Sequence, residues 1–357
     1  MRRFFVRATL LASITTGLTC AATQPRLTVT QLTSNPNCNA GSGAVYASID
    51  AKALHVVFTS NCDLVAGGNT DQNAELFYMN TDGTGLKQLT FTTGGLGVYN
   101  CALSGSGDQI VFAADRDLIS GQNSDLNAEI FLIHSDGSGL IQLTHSTGGD
   151  PENFGGNSHP RLDPMGRKVT FSSDRDLVPG SNSDGNHELF VVNVNGAGLR
   201  QLTNTVGGYG VFAPSGLDST DTKVVFDSDR DMVTGGNLDG NYDLFMMNTD
   251  GSGLVQLTNT IGGTGCVGPV ITPNAQTVTY WSDQDFVGNN ADQDYEVIRM
   301  NIDASGLIQL TAGTGGFGSA PWGISSDGKT ISVESDRDLV PGSNSGGNLE
   351  IYLISLH

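Results

Sequence analysis

Side-chain oxygens recur in this chain at a spacing that suits a hard cation. Asp117 is followed by Asn123, Asp125, Asn127 and Glu129, and Asp176 by Asn182, Asp184, Asn186 and Glu188. The same set stands at Asp63, Asn69, Asp71, Asn73 and Glu75, at Asp231, Asn237, Asp239, Asn241 and Asp243, and at Asp285, Asn290, Asp292, Asp294 and Glu296. A sixth copy has Asp338, Asn344, Asn348 and Glu350, with Gly346 where the other copies carry a central aspartate. Alternating oxygen ligands around a glycine bend resemble the first half of a calcium loop, and calcium takes roughly six to eight such oxygens. The bidentate glutamate at the end of an EF-hand loop is missing, and no flanking helices are evident. The third copy, with Gly185, is the most complete and the sixth the least. The same residue types also satisfy backbone donors in Asx turns, and a pair such as Asp174 with Arg175 can lock one repeat to its neighbour. Turn-locking therefore stands beside calcium as a reading of these loops.

Two other groups of residues carry chemistry. His145 and His159 flank Asp150 and Glu152, and two imidazoles with two carboxylates suit a transition metal. His55, His134 and His187 fall at strand, hairpin or loop positions and add no third converging imidazole, which a ligand site would want. The rings of Tyr99, Phe154, Tyr209, Phe212, Phe317 and Trp322 lie beside glycine-rich segments between repeats. Such rings stack on a sugar or hold a peptide when exposed, and pack between elements when buried.

These residues are positioned by a repeat. Gln-Leu-Thr ends at Thr33, Thr90, Thr144, Thr203, Thr258 and Thr311, in steps of 57, 54, 59, 55 and 53 residues. A period of that length means stacked supersecondary units. Within the third unit, Lys168-Val-Thr-Phe-Ser172, Glu188-Leu-Phe-Val-Val192 and Leu199-Arg-Gln-Leu-Thr203 read as short strands bounded by Asn, Asp and Gly. The turn before the last strand recurs as Asp82-Gly83, Asp136-Gly137, Asn195-Gly196 and Asp250-Gly251, where a tight hairpin needs positive φ. Asp303-Ala304 breaks that rule. An apolar stretch precedes each unit, as in Gly268-Pro-Val-Ile271 and Ala320-Pro-Trp-Gly-Ile324, and completes four strands. Four-stranded units repeated six times predict an all-β, six-bladed propeller. The sixth unit ends at Glu350-Ile-Tyr-Leu-Ile354 without its own Gln-Leu-Thr, while Leu27–Thr33 carries an orphan copy, so the N-terminal strand is expected to close the ring.

Composition limits the partners. The first 22 residues have a basic start, an apolar middle and a small-residue end, the grammar of an export signal with cleavage near Ala21 or Ala22. Cys20 as a lipoprotein acceptor fits less well, because Gly17-Leu18-Thr19 departs from the usual pattern. No later segment approaches the apolar length of a membrane span. Residues 23–357 then form one propeller domain, in the periplasm or secreted. The chain has 17 basic and 37 acidic residues, a field that repels nucleic acid and anionic membranes and favours cations or basic partners. Cys38, Cys62, Cys101 and Cys266 follow the leader. Cys38 and Cys62, both expected on one face of blade one, are the candidate disulfide, while Cys101 and Cys266 read as small buried side chains.

The recurring string of alternating strand, Ser-Asp-Arg-Asp, Asn-x-Glu-Leu-Phe and Asn-x-Asp-Gly-x-Gly-Leu-x-Gln-Leu-Thr resembles the WD-like repeat of TolB-type six-bladed propellers. The resemblance spans the whole expected mature chain. TolB carries a further N-terminal domain, which this sequence is expected to lack. Related propellers precede peptidase domains in prolyl-oligopeptidase-like enzymes, but no Gly-x-Ser-x-Gly elbow follows here. A metal held by His145 and His159 would be analogous to the one that the TolB-like propeller of oligogalacturonate lyases binds through histidines. The expected function is that of an exported, monomeric, non-catalytic binding or scaffold propeller. It would recognise a protein, peptide or glycan on the face where the Asp-rich and inter-blade loops meet. The alternative is a metal-assisted polysaccharide lyase or hydrolase centred on the third blade.

Overall fold

The computed structural model describes residues 25–34, 43–148 and 156–357. Among them there are no helices, and the strands form six separate four-stranded antiparallel sheets. Blade one runs Ala44–Ile49, His55–Ser60, Glu75–Asn80 and Lys87–Gln88 from the axis outward. Blades two to five repeat that order with inner strands Val98–Leu103, Asn157–Leu162, Val211–Pro214 and Cys266–Ile271. Blade six is built from Ser319–Ile324, Thr330–Ser335 and Glu350–Leu356, and its outer strand is Leu27–Gln31, paired from Leu27 with Leu356 to Gln31 with Tyr352. The N-terminal strand therefore closes the ring.

Period-2 patterning in the second and third strands buries both faces, because each sheet is sandwiched between neighbours. Phe58 and Phe77, Phe112 and Phe131, Phe171 and Phe190, and Phe226 and Phe245 are directly opposed cross-strand pairs with ring centroids 5.5–5.9 Å apart, all fully buried. The hairpin turns take φ of 83° at Gly83 and 88° at Gly251, and Ala304 in blade five adopts the same left-handed conformation at 64°. The break in the turn motif thus changes the residue and leaves the turn in place.

The structure gives Gln-Leu-Thr a physical role. In blade three, the Thr203 hydroxyl donates to Glu188 Oε2, while the Leu189 amide donates to the Thr203 oxygen at 2.8 Å. The Gln201 amide donates to the carbonyls of Ser181 and Thr203 at 2.9 and 2.7 Å, so the outer strand grips the Asp-rich loop. The orphan copy does the same across the chain ends. Thr33 Oγ1 donates to Glu350 Oε2 at 2.5 Å and accepts the Ile351 amide at 2.9 Å.

Candidate binding face

Each Asp-rich loop joins the second strand to the third, and each inter-blade loop leads into an inner strand. Antiparallel order puts both loop sets at one end of the blades. Parallel bridges knit them together: Ala74 with Gly97, His187 with Gly210, Tyr242 with Gly265 and Tyr295 with Gly318.

The leading aspartate of each loop caps it. Asp176 accepts the amides of Gly180, Ser181 and Asn182 at 2.7, 3.0 and 3.1 Å, and Asp117 those of Gly121, Gln122 and Asn123 at 2.7, 3.1 and 3.0 Å. These bonds hold both carboxyls below the usual carboxylate range. Asn182, Asn186 and Glu188 are buried while Asp184 stays exposed; Asn182 Nδ2 donates to the Asn186 carbonyl at 2.8 Å, and Asp184, Asn186 and Glu188 meet the next inter-blade loop. Asp184 accepts the Gly207 amide at 2.9 Å, and Asn186 Nδ2 donates to Thr205 Oγ1 and to the Gly207 carbonyl at 2.8 and 3.2 Å. In blade two, Asn123, Asp125, Asn127 and Glu129 repeat the arrangement against Ser146 and Gly148. Burial pushes the Glu188 and Glu129 carboxyls above their ordinary value. Arg175, Arg116 and Arg230 pair with the aspartate just before them in sequence, and Asp174, Asp115 and Asp229 accept amides of the inter-blade loop that is bridged to the preceding blade. Arg337 is different, and reaches back from blade six to Asp294 and Glu296 of blade five.

Inside this rim, aromatic rings line the axis. The inner strands carry a bulge near their first turn, with Tyr46, Asn100 and His159 at φ of 58°, 50° and 50°. Left-handed backbone at residues with a Cβ is strained, and such strain collects at functional sites. The His159 ring lies 4.5 Å from Phe212 and 6.4 Å from Trp322, and Trp322 meets Tyr46 edge-on at 4.8 Å. Blades three and six stand opposite each other, so these rings meet across the axis and plug the channel. The Arg161 guanidinium sits 5.1 Å from the Trp322 ring, beneath the plug. Burial, with the Arg161 charge adding to it, holds the His159 imidazole down to about 3, so the ring is neutral. Burial also pushes Asp227 and Glu334 up to about 7. Asp227 accepts the Ala213 and Gly268 amides at 2.6 and 2.8 Å, and Glu334 accepts the Tyr46 amide at 2.7 Å, tying inner strands to one another.

Around the plug the rings form a crescent rather than a full circle. His187 stacks on Tyr209 at 4.3 Å, Tyr242 lies 6.0 Å from Phe212, Trp281 meets Tyr295 at 4.4 Å, and Tyr295 lies 5.3 Å from Phe317. Tyr209 and Phe317 keep 37% and 40% of their surface open to solvent. On the other side of the axis the corresponding positions are the non-aromatic Ala74, Ala128 and Leu349. The opposite mouth holds a cavity of only about 70 Å³, lined by Ser48, Ala102, Arg161, Leu217, Ile271 and Ile324. That is far below the few hundred Å³ of a typical ligand pocket.

Of the aromatic residues singled out from sequence, Tyr209, Phe212 and Phe317 lie in the crescent and Trp322 in the plug. Tyr99 is buried in the core with Leu143 and Phe171. Phe154 lies outside the described residues, as do Asp150 and Glu152, so the blade-three metal group is represented only by an exposed His145 and the buried His159. Among the described residues no three His, Cys, Asp or Glu side chains are grouped to hold a metal. Cys62 is disulfide-bonded, Cys38 lies outside the described residues, and Cys101 and Cys266 are free and buried. The export leader also lies outside the described residues, and no described helix is long and apolar enough to cross a membrane. Tyr46, Tyr242, Trp281 and Tyr295 carry no mark in the sequence pattern, and His187, weighed there only as a metal ligand, belongs to the crescent. His187, Tyr242 and Tyr295 share the position just before the third strand, and aligning the repeats on that column would have found them.

No family model and no curated protein matches the chain. Solved structures do. The TolB of Acinetobacter baumannii is similar at 15% identity and a TM-score of 0.52, over 79% of this chain and 60% of that one. This chain thus spans 60% of the length of that TolB. A putative TolB from Agrobacterium tumefaciens is similar at 15% identity and a TM-score of 0.52, over 87% and 89% of the two chains. An oligogalacturonate lyase from Vibrio parahaemolyticus is similar at 12% identity and a TM-score of 0.51, over 94% of each chain. At these identities the likeness is one of fold, and together with the six blades seen here it makes the chain a TolB-like six-bladed β-propeller.

Proposed function

We propose that this chain is an exported, monomeric binding propeller that takes a protein segment across the aromatic crescent and leaves it chemically unchanged. The observation that carries the reading is the half-open ring of His187, Tyr209, Tyr242, Tyr295 and Phe317 on the face that also bears the exposed aspartates of the Asp-rich loops. Partly exposed rings supply contact area at low entropic cost, and cationic side chains are drawn both to ring faces and to a chain of formal net charge −20. A segment carrying arginine or lysine among apolar residues fits that chemistry. A glycan is the competing ligand class, since sugars also stack on exposed rings.

The chain carries two tryptophans, Trp281 and Trp322, and both lie at this site. Tryptophan emission therefore reports occupancy directly. Titration with synthetic Arg- and aromatic-containing peptides is expected to change it, and Tyr209→Ala with Phe317→Ala to weaken binding about tenfold or more, the range of hot-spot aromatics. Neutral or acidic peptides are the controls. Oligogalacturonate that binds and is shortened in a metal- and His159-dependent manner would replace this reading with the lyase alternative. That alternative draws on the lyase-like fold and on His159 lying at the channel mouth.

A further inference from the structure

The buried amides of the Asp-rich loops have their nitrogens satisfied and their oxygens orphaned. Asn69 Nδ2 donates to the Asn73 carbonyl at 2.8 Å, and Asn73 Nδ2 donates to Thr92 Oγ1 and the Gly94 carbonyl at 2.7 and 3.3 Å. Both side chains are buried, at 2% and 7% exposure. With the nitrogens held there, Asn73 Oδ1 points at three other oxygens: Asn69 Oδ1 at 3.1 Å, Asp71 Oδ1 at 3.2 Å and Glu75 Oε1 at 3.2 Å. Four oxygens facing one another repel unless a donor or a cation sits among them.

Turning the Asn73 amide over would let its nitrogen donate to these three oxygens and its oxygen accept from Thr92 Oγ1, but would set that oxygen against the Gly94 carbonyl now 3.3 Å from the nitrogen. Thr92 has a single hydroxyl hydrogen, which it donates to Glu75 Oε1 at 2.7 Å. A turned amide would take that hydrogen for its own oxygen and give Glu75 Oε1 a donor from its nitrogen at 3.2 Å in return, so the Gly94 carbonyl is what favours the present orientation. The pattern recurs. Asn127 is held through Ser146 Oγ and the Gly148 carbonyl, and Asn186 through Thr205 Oγ1 and the Gly207 carbonyl, while Ser146 and Thr205 donate to Glu129 and Glu188 at 2.7 Å. The Oδ1 atoms of Asn123, Asn127, Asn182 and Asn186 are all buried without a partner, as are those of Asn237 and Asn241 in blade four and Asn290 in blade five.

Blade five supplies an internal comparison. Asp294 replaces the second asparagine and Gly313 replaces the threonine, and into that place the Arg337 guanidinium inserts, donating to Glu296 Oε1 and, at 2.6 Å, to Asp294 Oδ2. A Cβ on Gly313 would come within 2.8 Å of Arg337 Cδ, so the missing side chain is what admits the arginine. A full positive charge thus sits where the other blades leave facing oxygens.

We infer that blades one, two and three each hold a calcium ion between the two asparagine Oδ1 atoms, the central aspartate and the glutamate: Asn69, Asp71, Asn73 and Glu75 in blade one, and their equivalents in the next two. Oxygens 3.1–3.2 Å apart subtend about 80° at a centre about 2.4 Å away, a calcium distance, whereas magnesium at about 2.1 Å requires closer spacing. Two carboxylates balance the charge of a divalent ion, and the exposed side of the central aspartate leaves room for water to complete the shell. Blade four has the shorter Asp243 in place of glutamate, and blade six has Gly346 in place of the aspartate, so neither completes the set.

The test is calorimetric titration of calcium chloride into the full-length protein after chelator treatment, beside the triple variant Asp71→Asn, Asp125→Asn, Asp184→Asn. These aspartates are exposed, and asparagine can still accept the Gly94, Gly148 and Gly207 amides, so the fold is expected to survive. The expected result is about three calcium ions per chain, with affinity lowered tenfold or more in the variant. Absence of binding at millimolar calcium, an unchanged stoichiometry and affinity in the variant, or an equal response to sodium would each overturn the inference. The titration involves no peptide, so its failure leaves the crescent reading standing.

Discussion

His159 shows how one residue's surroundings set its chemistry. It sits at a left-handed bulge, buried among Phe212 and Trp322 and above Arg161, and burial holds its imidazole down to about 3. The unfolded chain protonates the same ring near its ordinary value of about 6.5. The neutral ring therefore contributes stability that is fully present above about pH 6.5 and is lost as the pH falls toward 3, amounting to about 2 kcal/mol by pH 5. Asp227 and Glu334 act in the opposite sense. Their folded values are raised to about 7, so their contribution is full at low pH and fades as the pH rises from about 4 to 7. His159→Asn, the residue that occupies the matching bulge at Asn100, is expected to lose the acid-sensitive term alone. Melting temperatures of parent and variant at pH 7.5 and 5 check this, and the drop on acidification should shrink in the variant. An equal drop in both would assign the acid response to other groups.

At the scale of the element, each Asp-rich loop is a joint between blades. Its leading aspartate caps the loop, its second asparagine binds the next inter-blade loop, and its buried carboxylate takes the Gln-Leu-Thr threonine. Blade five replaces part of this hydrogen bonding with the charge of Arg337, which is 8% exposed against a fully buried Glu296. Removing one partner of a buried ion pair leaves the other uncompensated, at a cost of about 3–5 kcal/mol. Arg337→Gln is accordingly expected to lower the unfolding free energy by about 3 kcal/mol in denaturant titration. A loss below about 1 kcal/mol would mean that Asp294 and Glu296 are balanced by water or ions instead.

For the whole molecule, the closing strand is the part with the greatest leverage. Leu27–Gln31 covers the edge of Glu350–Leu356, and Thr33 fastens Glu350. A chain starting after Thr33 would leave that edge open, and open edges pair with other chains. Deleting residues 25–33 is expected to lower the melting temperature by about 5 °C, equivalent to about 3–4 kcal/mol for a domain of this size, and to promote association at high concentration. Light scattering and a thermal melt check both. An unaffected melt would show that blade six stands without its fourth strand.

The repeat spacing alone determined the class of fold, the number of blades and the closure by Leu27–Gln31. A six-fold repeated pattern averages out local ambiguity, and an orphan motif before the first unit with a missing one after the sixth leaves one way to complete the ring. The same pattern showed that Asp176 through Glu188 and their copies form one functional unit. It did not show which oxygens would face one another, because Asn73 and Asn186 are oriented by Thr92, Thr205 and glycine carbonyls about twenty residues further along. Nor did it separate Tyr99, which is buried, from Tyr209, which is open: both follow a glycine-rich segment, and only the strand bounds show that Tyr99 lies two residues past its bridging glycine, inside the inner strand, while Tyr209 lies just before its own, in the loop. The meeting of His159 and Trp322 across the channel was likewise beyond the sequence. They are more than 160 residues apart, and their contact follows from ring closure, which brings opposite blades to a common axis.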